Sequence, residues 1–189
     1  MDSFSFVFSL FGLLMGLALA ETIGGFGKAL ELRHKIRIGW LTPLLGLCIC
    51  FDIVSFWLIA WQTRESIPVD FMSLAAGLVI FGIYYLIAQL AFPDDVERWP
   101  DLDVYYFEHR RWMIGGMYLC NLLAMAGLQA VGIHQLASPR AWIIYLAFSA
   151  GVAAIAFLPG KRLNLVALIC YLLLDPLFDL LGMFGPAWY

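Results

Sequence analysis

The sequence predicts an all-α polytopic membrane protein, folded as a compact bundle of six transmembrane helices. Hydrophobic residues make up 63% of the 189 residues and charged residues 13%, whereas soluble domains are about 45–50% apolar and about 25% charged. The mean hydropathy is +0.87. Six apolar stretches each approach the roughly 20 residues that cross about 30 Å of hydrocarbon, and together they make one domain, 1–189. These stretches are residues 4–27, 38–61, 68–92, 112–135, 141–159 and 162–183.

The basic residues predict how the bundle is oriented. Nine of the eleven lysines and arginines follow spans one, three and five, and only Arg64 and Arg140 lie on the other side. Because cytoplasmic connections carry the excess of positive charge, both termini are expected to be non-cytoplasmic. We therefore expect an integral protein of a cytoplasmic membrane, such as the bacterial inner membrane. The net charge of −3 and the lack of a basic run argue against nucleic acid as a partner.

Span one carries a small-residue stripe, along which another helix backbone can approach closely. We expect the stripe to serve helix packing within the chain, with a homo-oligomer or a membrane-protein partner as the alternative. Glu21 lies beside the stripe and Lys28 is seven residues further along the same face, so the two are expected to pair at the membrane surface. The stripe consists of residues spaced four apart: Gly12, Gly16, Ala20 and Gly24.

Spans two and three each carry polar side chains on one helical face. Asp52 lies fifteen residues beyond Arg37, near the middle of span two, and Ser55 shares its face at helical spacing. Lipid-facing acids are poorly tolerated, so this face is expected to point into the bundle. In span three, Tyr85 and Gln89 are four residues apart, and we expect them to serve one inward face.

The connection 93–111 is expected to lie in the cytoplasmic membrane interface. Its acids between residues 94 and 108 offer oxygen ligands for a hard cation, but their spacing lacks the glycine and glutamate of an EF-hand. We favour an ordered segment in which Asp101 caps a helix that begins near Leu102. His34 and His109 fall in connections rather than in spans, which argues against an intramembrane haem. Neither a metal nor a cofactor is expected.

Span six is unusual because it places two carboxylates and a proline inside an apolar helix. Tyr171, Asp175 and Asp179 share one face of this helix. Pro176 removes one backbone hydrogen bond and frees a carbonyl at the same level. An acid at bilayer depth costs about 2.5–3.5 kcal/mol by insertion scales, so it needs a partner, a proton or water.

The acids of spans two and six are expected to converge. Spans two, four and six run in the same direction, so residue counts from their basic ends bring Asp175 to nearly the depth of Asp52, with Asn121 of span four as a polar neighbour. No lysine or arginine lies deep within the spans to neutralise these acids. Like-charge repulsion and desolvation would then both favour the protonated form.

The leading functional hypothesis is a proton- or cation-linked transporter or channel that uses intramembrane aspartates. The alternative is a non-transporting membrane scaffold or a subunit of a larger membrane complex. The sequence has no HExxH and no GxSxG motif, and no enzymatic activity is expected. In the leading hypothesis the ionisable groups are Asp52, Asp175 and Asp179, and the polar partners are Asn121, Tyr171 and Ser55.

Overall fold

The computed structural model describes residues 3–134 and 136–180, with side chains from residue 8 onward except at 96, 175 and 178–180. Within these residues the fold is all-helical, with a short 3-10 helix, Val96–Arg98, between the third and fourth α-helices. The α-helices are α1 Ser3–Glu31, α2 Leu41–Gln62, α3 Phe71–Ala91, α4 Leu102–Ala130, α5 Pro139–Phe157 and α6 Lys161–Leu180.

The helices α1 to α5 are each long and apolar enough to cross a membrane. Five such helices identify an integral membrane protein and agree with the expectation from composition. The sixth helix is present where a span was predicted. That it crosses the bilayer, and that both termini face away from the cytoplasm, stay predictions.

The helix α2 lies at the centre of the bundle. It packs against α1, α3, α4 and α6. The other packed pairs are α1 with α3, α3 with α4, α4 with α5, and α5 with α6. The buried side chains of α2 lie on one face, where Leu45, Ile49 and Ile53 are almost completely enclosed, whereas Val54 and Leu58 on the opposite face are exposed. A polar residue on the buried face of α2 is consequently surrounded by protein rather than by lipid.

Capping side chains set where the helices begin. The Asp70 carboxylate accepts from Ser73 N at the start of α3, and Ser138 Oγ accepts from Ala141 N at the start of α5. Asp101 accepts from Asp103 N at 2.8 Å, which confirms the cap predicted for a helix beginning at Leu102. The helix then continues without a break from the predicted interfacial segment through the fourth span.

The helices α2, α4 and α6 are joined at their N-termini by one side chain, Asp103. Its Oδ1 accepts from Trp40 N at 3.2 Å and from Leu41 N at 3.1 Å, and its Oδ2 lies 3.3 Å from Lys161 Nζ. Gly39, with φ of +67°, makes this approach possible, because a Cβ there would collide with the Asp103 carboxylate. We call this end of the bundle, with Asp103 and Lys161, the basic end.

Candidate functional site

A buried carboxylate lies where three helices meet. Asp52, in the middle of α2, is 6% exposed. The hydroxyl of Tyr84 on α3, itself fully buried, donates to Asp52 Oδ2. Asn121 Nδ2 on α4 lies 3.4 Å from the same oxygen and also donates to its own helix at Met117 O. We call Asp52, Tyr84 and Asn121 the polar centre.

The polar centre has apolar surroundings. The ring of Phe56 meets the ring of Tyr84 edge-on, with centroids 5.2 Å apart, and Ile49, Ile53 and Met117 are buried nearby on the same helices. In such a medium an ionised carboxylate is costly unless it is hydrogen-bonded or paired. The Tyr84 hydroxyl and the Asn121 amide can therefore stabilise the charged state of Asp52, because both donate hydrogen bonds to it.

The other predicted polar partners, Ser55 and Tyr171, lie on α2 and α6. Ser55 Oγ donates to Phe51 O of its own helix at 3.1 Å. Tyr171 is buried on α6, and its ring centroid lies 5.5 Å from that of Phe148. The side chains of Asp175 and Asp179 lie outside the described part of the structure, so their predicted role stays a prediction.

The backbone register relates α6 to the polar centre. Cys48 Sγ on α2 contacts Leu168 O on α6 at 3.8 Å, which sets these two residues at one level. Asp52 is one turn beyond Cys48, and the backbone of Asp175 is two turns beyond Leu168. Because both helices run in the same direction, the Asp175 backbone lies about one turn, or ~5 Å, beyond the level of Asp52.

The expectation for span three was wrong in detail. Gln89 is exposed and does not face the bundle interior, while Tyr85 is partly buried against the core and its Oη accepts from Gln89 Nε2 at 2.7 Å. The inward tyrosine is Tyr84. The signal that identifies it is its spacing from Gly77 and Ala88, since small residues mark the face along which helices approach closely.

A second polar network, at the basic end, was not anticipated. Arg110 on α4 is 6% exposed and donates to Asn164 Oδ1 at 2.6 Å and to Leu158 O at 2.9 Å. Tyr106 also donates to Asn164 Oδ1, at 2.9 Å, and Asn164 Nδ2 donates to Leu158 O and Gly160 O. This network fixes the connection between α5 and α6. A guanidinium at the C-terminus of α5 is also favoured by the helix dipole.

The small-residue stripe of α1 is largely uncovered. A Cβ on Gly12 would meet the Trp57 ring of α2 at 3.0 Å, so this end of the stripe packs within the chain. Gly16, Ala20 and Gly24 are exposed, and no atom lies within 4 Å of a Cβ built on Gly16 or Gly24. The stripe thus forms an uncovered surface on the outside of the bundle.

The predicted pair of Glu21 and Lys28 is replaced by a different contact. Lys28 Nζ donates to the backbone carbonyl of Asp94, in the connection after α3. Across the part of the chain that the structure describes, Glu21 makes no hydrogen bond or ion pair. Glu21 and Lys28 lie on the same face of α1, as predicted. Lys28 nevertheless binds the connection after α3 and not Glu21.

Acids in the connection after α3 are held by basic side chains of neighbouring connections. Lys35 Nζ lies 2.6 Å from Glu97 Oε1, and this hydrogen bond and charge lower the pKa of Glu97 and raise that of Lys35. Asp101 lies 3.4 Å from Lys161 and 3.7 Å from Arg37. Within the described ranges, no three histidine, cysteine or carboxylate side chains are grouped as metal ligands.

Comparison with known proteins leaves the candidate site to be judged by its own chemistry. No family model matches the chain, and neither a curated protein nor a solved structure is significantly similar to it.

Proposed function

We propose that the protein is a proton- or cation-linked membrane transporter or channel whose central ionisable group is Asp52. The observation that carries the proposal is the burial of this carboxyl in the middle of the central helix, in contact with Tyr84 and Asn121. Acids within membrane spans are rare, costly and usually functional. Asp52 lies about 15 Å of helix from either end of α2, so interfacial water does not account for it.

The polar centre is suited to a carboxyl that changes protonation state. When Asp52 is ionised, the Tyr84 hydroxyl and the Asn121 amide both donate to it. When Asp52 is protonated, the Tyr84 oxygen can accept in return, because a hydroxyl is both donor and acceptor. Because Asp52 is hydrogen-bonded in both states, the free-energy difference between its ionised and protonated forms is reduced, as proton transfer requires.

Asp175 and Asp179 are proposed to continue this pathway along α6. Their backbone positions, from one to two turns beyond the level of Asp52, would extend the ionisable groups along the direction that α2 and α6 share. Pro176 between them frees a backbone carbonyl that a proton or cation could use. Tyr171 would mark the side of α6 that meets the polar centre.

The alternative is a non-transporting scaffold or a subunit of a larger membrane complex. The uncovered stripe of Gly16, Ala20 and Gly24 favours it, since such surfaces bring helices together in membranes. In that case Asp52 would remain protonated and would only specify helix packing. Purification with a stoichiometric membrane-protein partner, together with a lack of flux by the isolated chain, would support this alternative.

Reconstitution into liposomes tests the proposal. A potassium diffusion potential drives proton uptake, which a trapped pH-sensitive dye reports, and parallel vesicles contain dyes for sodium or potassium. We expect flux in the parent protein and its loss in Asp52→Asn. Asp95→Asn is the matched control, because Asp95 is an exposed residue remote from the spans. No flux in the parent, or equal flux in both variants, would refute the proposal.

A further inference from the structure

A polar pocket opens on the outside of the bundle, between the ends of α1 and α3. Its volume is about 150 Å³, which is room for several waters or a small polar group. The charged and amide side chains at its wall are Glu21 and Lys28 from α1 and Gln89 and Asp94 from α3 and its following connection. Gly24 and Gly25 supply the space, since they have no side chains to fill it.

The pocket contains a carboxylate for which the described part of the chain supplies no hydrogen-bond donor. Glu21 is half-buried in the wall, and its hydrogen-bonding capacity is unused by the described residues. One of the three N–H donors of Lys28 binds the Asp94 carbonyl, and the other two are available to a ligand. The pocket therefore presents one cationic donor group and two carboxylates, Glu21 and Asp94, to whatever enters from outside.

The surface beside the pocket is apolar and faces outward. Leu17, one turn before Glu21 on α1, is 47% exposed, and Leu86, one turn before Gln89 on α3, is 60% exposed. Ala20 of α1 and Ala88 of α3 also line the pocket. A polar pocket beside exposed leucines matches a molecule with a charged head and a hydrocarbon tail.

We infer that this pocket binds the headgroup of a zwitterionic phospholipid that carries a primary ammonium, such as phosphatidylethanolamine. Lys28 pairs with the phosphate and Glu21 with the ammonium, both as charged hydrogen bonds. A choline headgroup has no N–H to donate to Glu21. An anionic headgroup without an amine would bring its charge against Glu21 and Asp94. The acyl chains lie against the exposed side chains of Leu17 and Leu86.

The inference depends on membrane insertion and not on the proposed transport function. Native mass spectrometry from detergent micelles tests it, with phosphatidylethanolamine, phosphatidylcholine and phosphatidylglycerol of identical acyl chains. We expect preferential retention of the ethanolamine lipid. Glu21→Gln should weaken this binding by about tenfold, the usual effect of losing one charged hydrogen bond. Glu108→Gln, an exposed glutamate on α4, is the matched control and should bind like the parent.

A steric variant gives an independent readout. Gly24→Leu has free space around its Cβ, so it should fold normally while its side chain fills the pocket and abolishes the lipid preference. Equal retention of the choline and ethanolamine lipids by the parent would overturn the inference, as would equal binding by Glu21→Gln and Glu108→Gln. The same spectra report oligomeric state. A dimer that Gly24→Leu disrupts, without any lipid preference, would assign this face to a second copy and contradict the inference.

Discussion

Replacing Asn164 by alanine should destabilise the protein far more than the same change at Asn121. The chain has these two asparagines alone, which makes them a natural matched pair. Asn164 is fully buried and accepts from Tyr106 and Arg110 while donating to two backbone carbonyls. Asn121 is partly exposed, and its bond to Asp52 is long, at 3.4 Å.

The expected magnitudes follow from the hydrogen bonds lost. A bond from a charged donor such as Arg110 contributes about 1.5–3 kcal/mol, and each neutral bond contributes about 0.5–1.5 kcal/mol. Arg110 keeps its bond to Leu158 O, so part of its stabilisation survives. These terms give a loss of roughly 3–4 kcal/mol for Asn164→Ala and about 1 kcal/mol for Asn121→Ala.

Unfolding by SDS in mixed micelles, followed by tryptophan fluorescence, measures both losses in the free energy of unfolding. A loss below about 1.5 kcal/mol for Asn164→Ala, or equal losses for the two variants, would refute the reasoning. Such a result would mean that the connection between α5 and α6 is held by apolar packing and not by the Arg110 network.

Two further predictions concern helix packing and pH. Gly77→Ala on α3 should lower the free energy of unfolding by about 1–3 kcal/mol, because its Cβ would collide with the buried Phe11 ring. Gly82→Ala on the same helix has no atom within 4 Å of its Cβ, and should be neutral or stabilising in the same SDS titration. The Ser73 N–H lowers the pKa of Asp70 below its usual 3.8, so this cap contributes stability above that pH and loses it as the pH falls through the lowered value. The difference in melting temperature between the parent and Asp70→Ala should therefore be constant near neutrality and vanish in strong acid. A difference that is independent of pH would contradict a role for the Asp70 charge.

Hydropathy predicts the bounds of α2 and α5 well because both helices are apolar along almost their whole length. The predicted span 38–61 corresponds to α2, Leu41–Gln62, and 141–159 corresponds to α5, Pro139–Phe157. Hydropathy predicts the start of α4 less well. The predicted span begins at residue 112, whereas the helix begins ten residues earlier, at Leu102. Asp103 and Arg110 lower the hydropathy there, yet both are buried against other helices and not against lipid.

The candidate site could be predicted in part. The shared direction of α2 and α4 predicts Asn121 as a polar neighbour of Asp52, and Asn121 Nδ2 lies 3.4 Å from Asp52 Oδ2. Tyr84 could not be separated from Tyr85 by hydropathy, because neighbouring residues of one apolar helix have similar transfer energies and differ only in direction. The partners of Asn164 could not be predicted, because they come from α4 and from the connection before α6, which meet Asn164 only once the helices have packed.

The most direct test of the account is the rate of proton uptake by vesicles that contain equal amounts of Asp52→Asn or Asp95→Asn protein. If Asp52 exchanges protons during transport, Asp52→Asn should be at least about tenfold slower, since a positioned proton-transferring side chain contributes that much or more. Asp52→Glu, which retains a carboxyl, should restore part of the rate. Equal rates for Asp52→Asn and Asp95→Asn would show that Asp52 is a fixed structural group and would contradict the account.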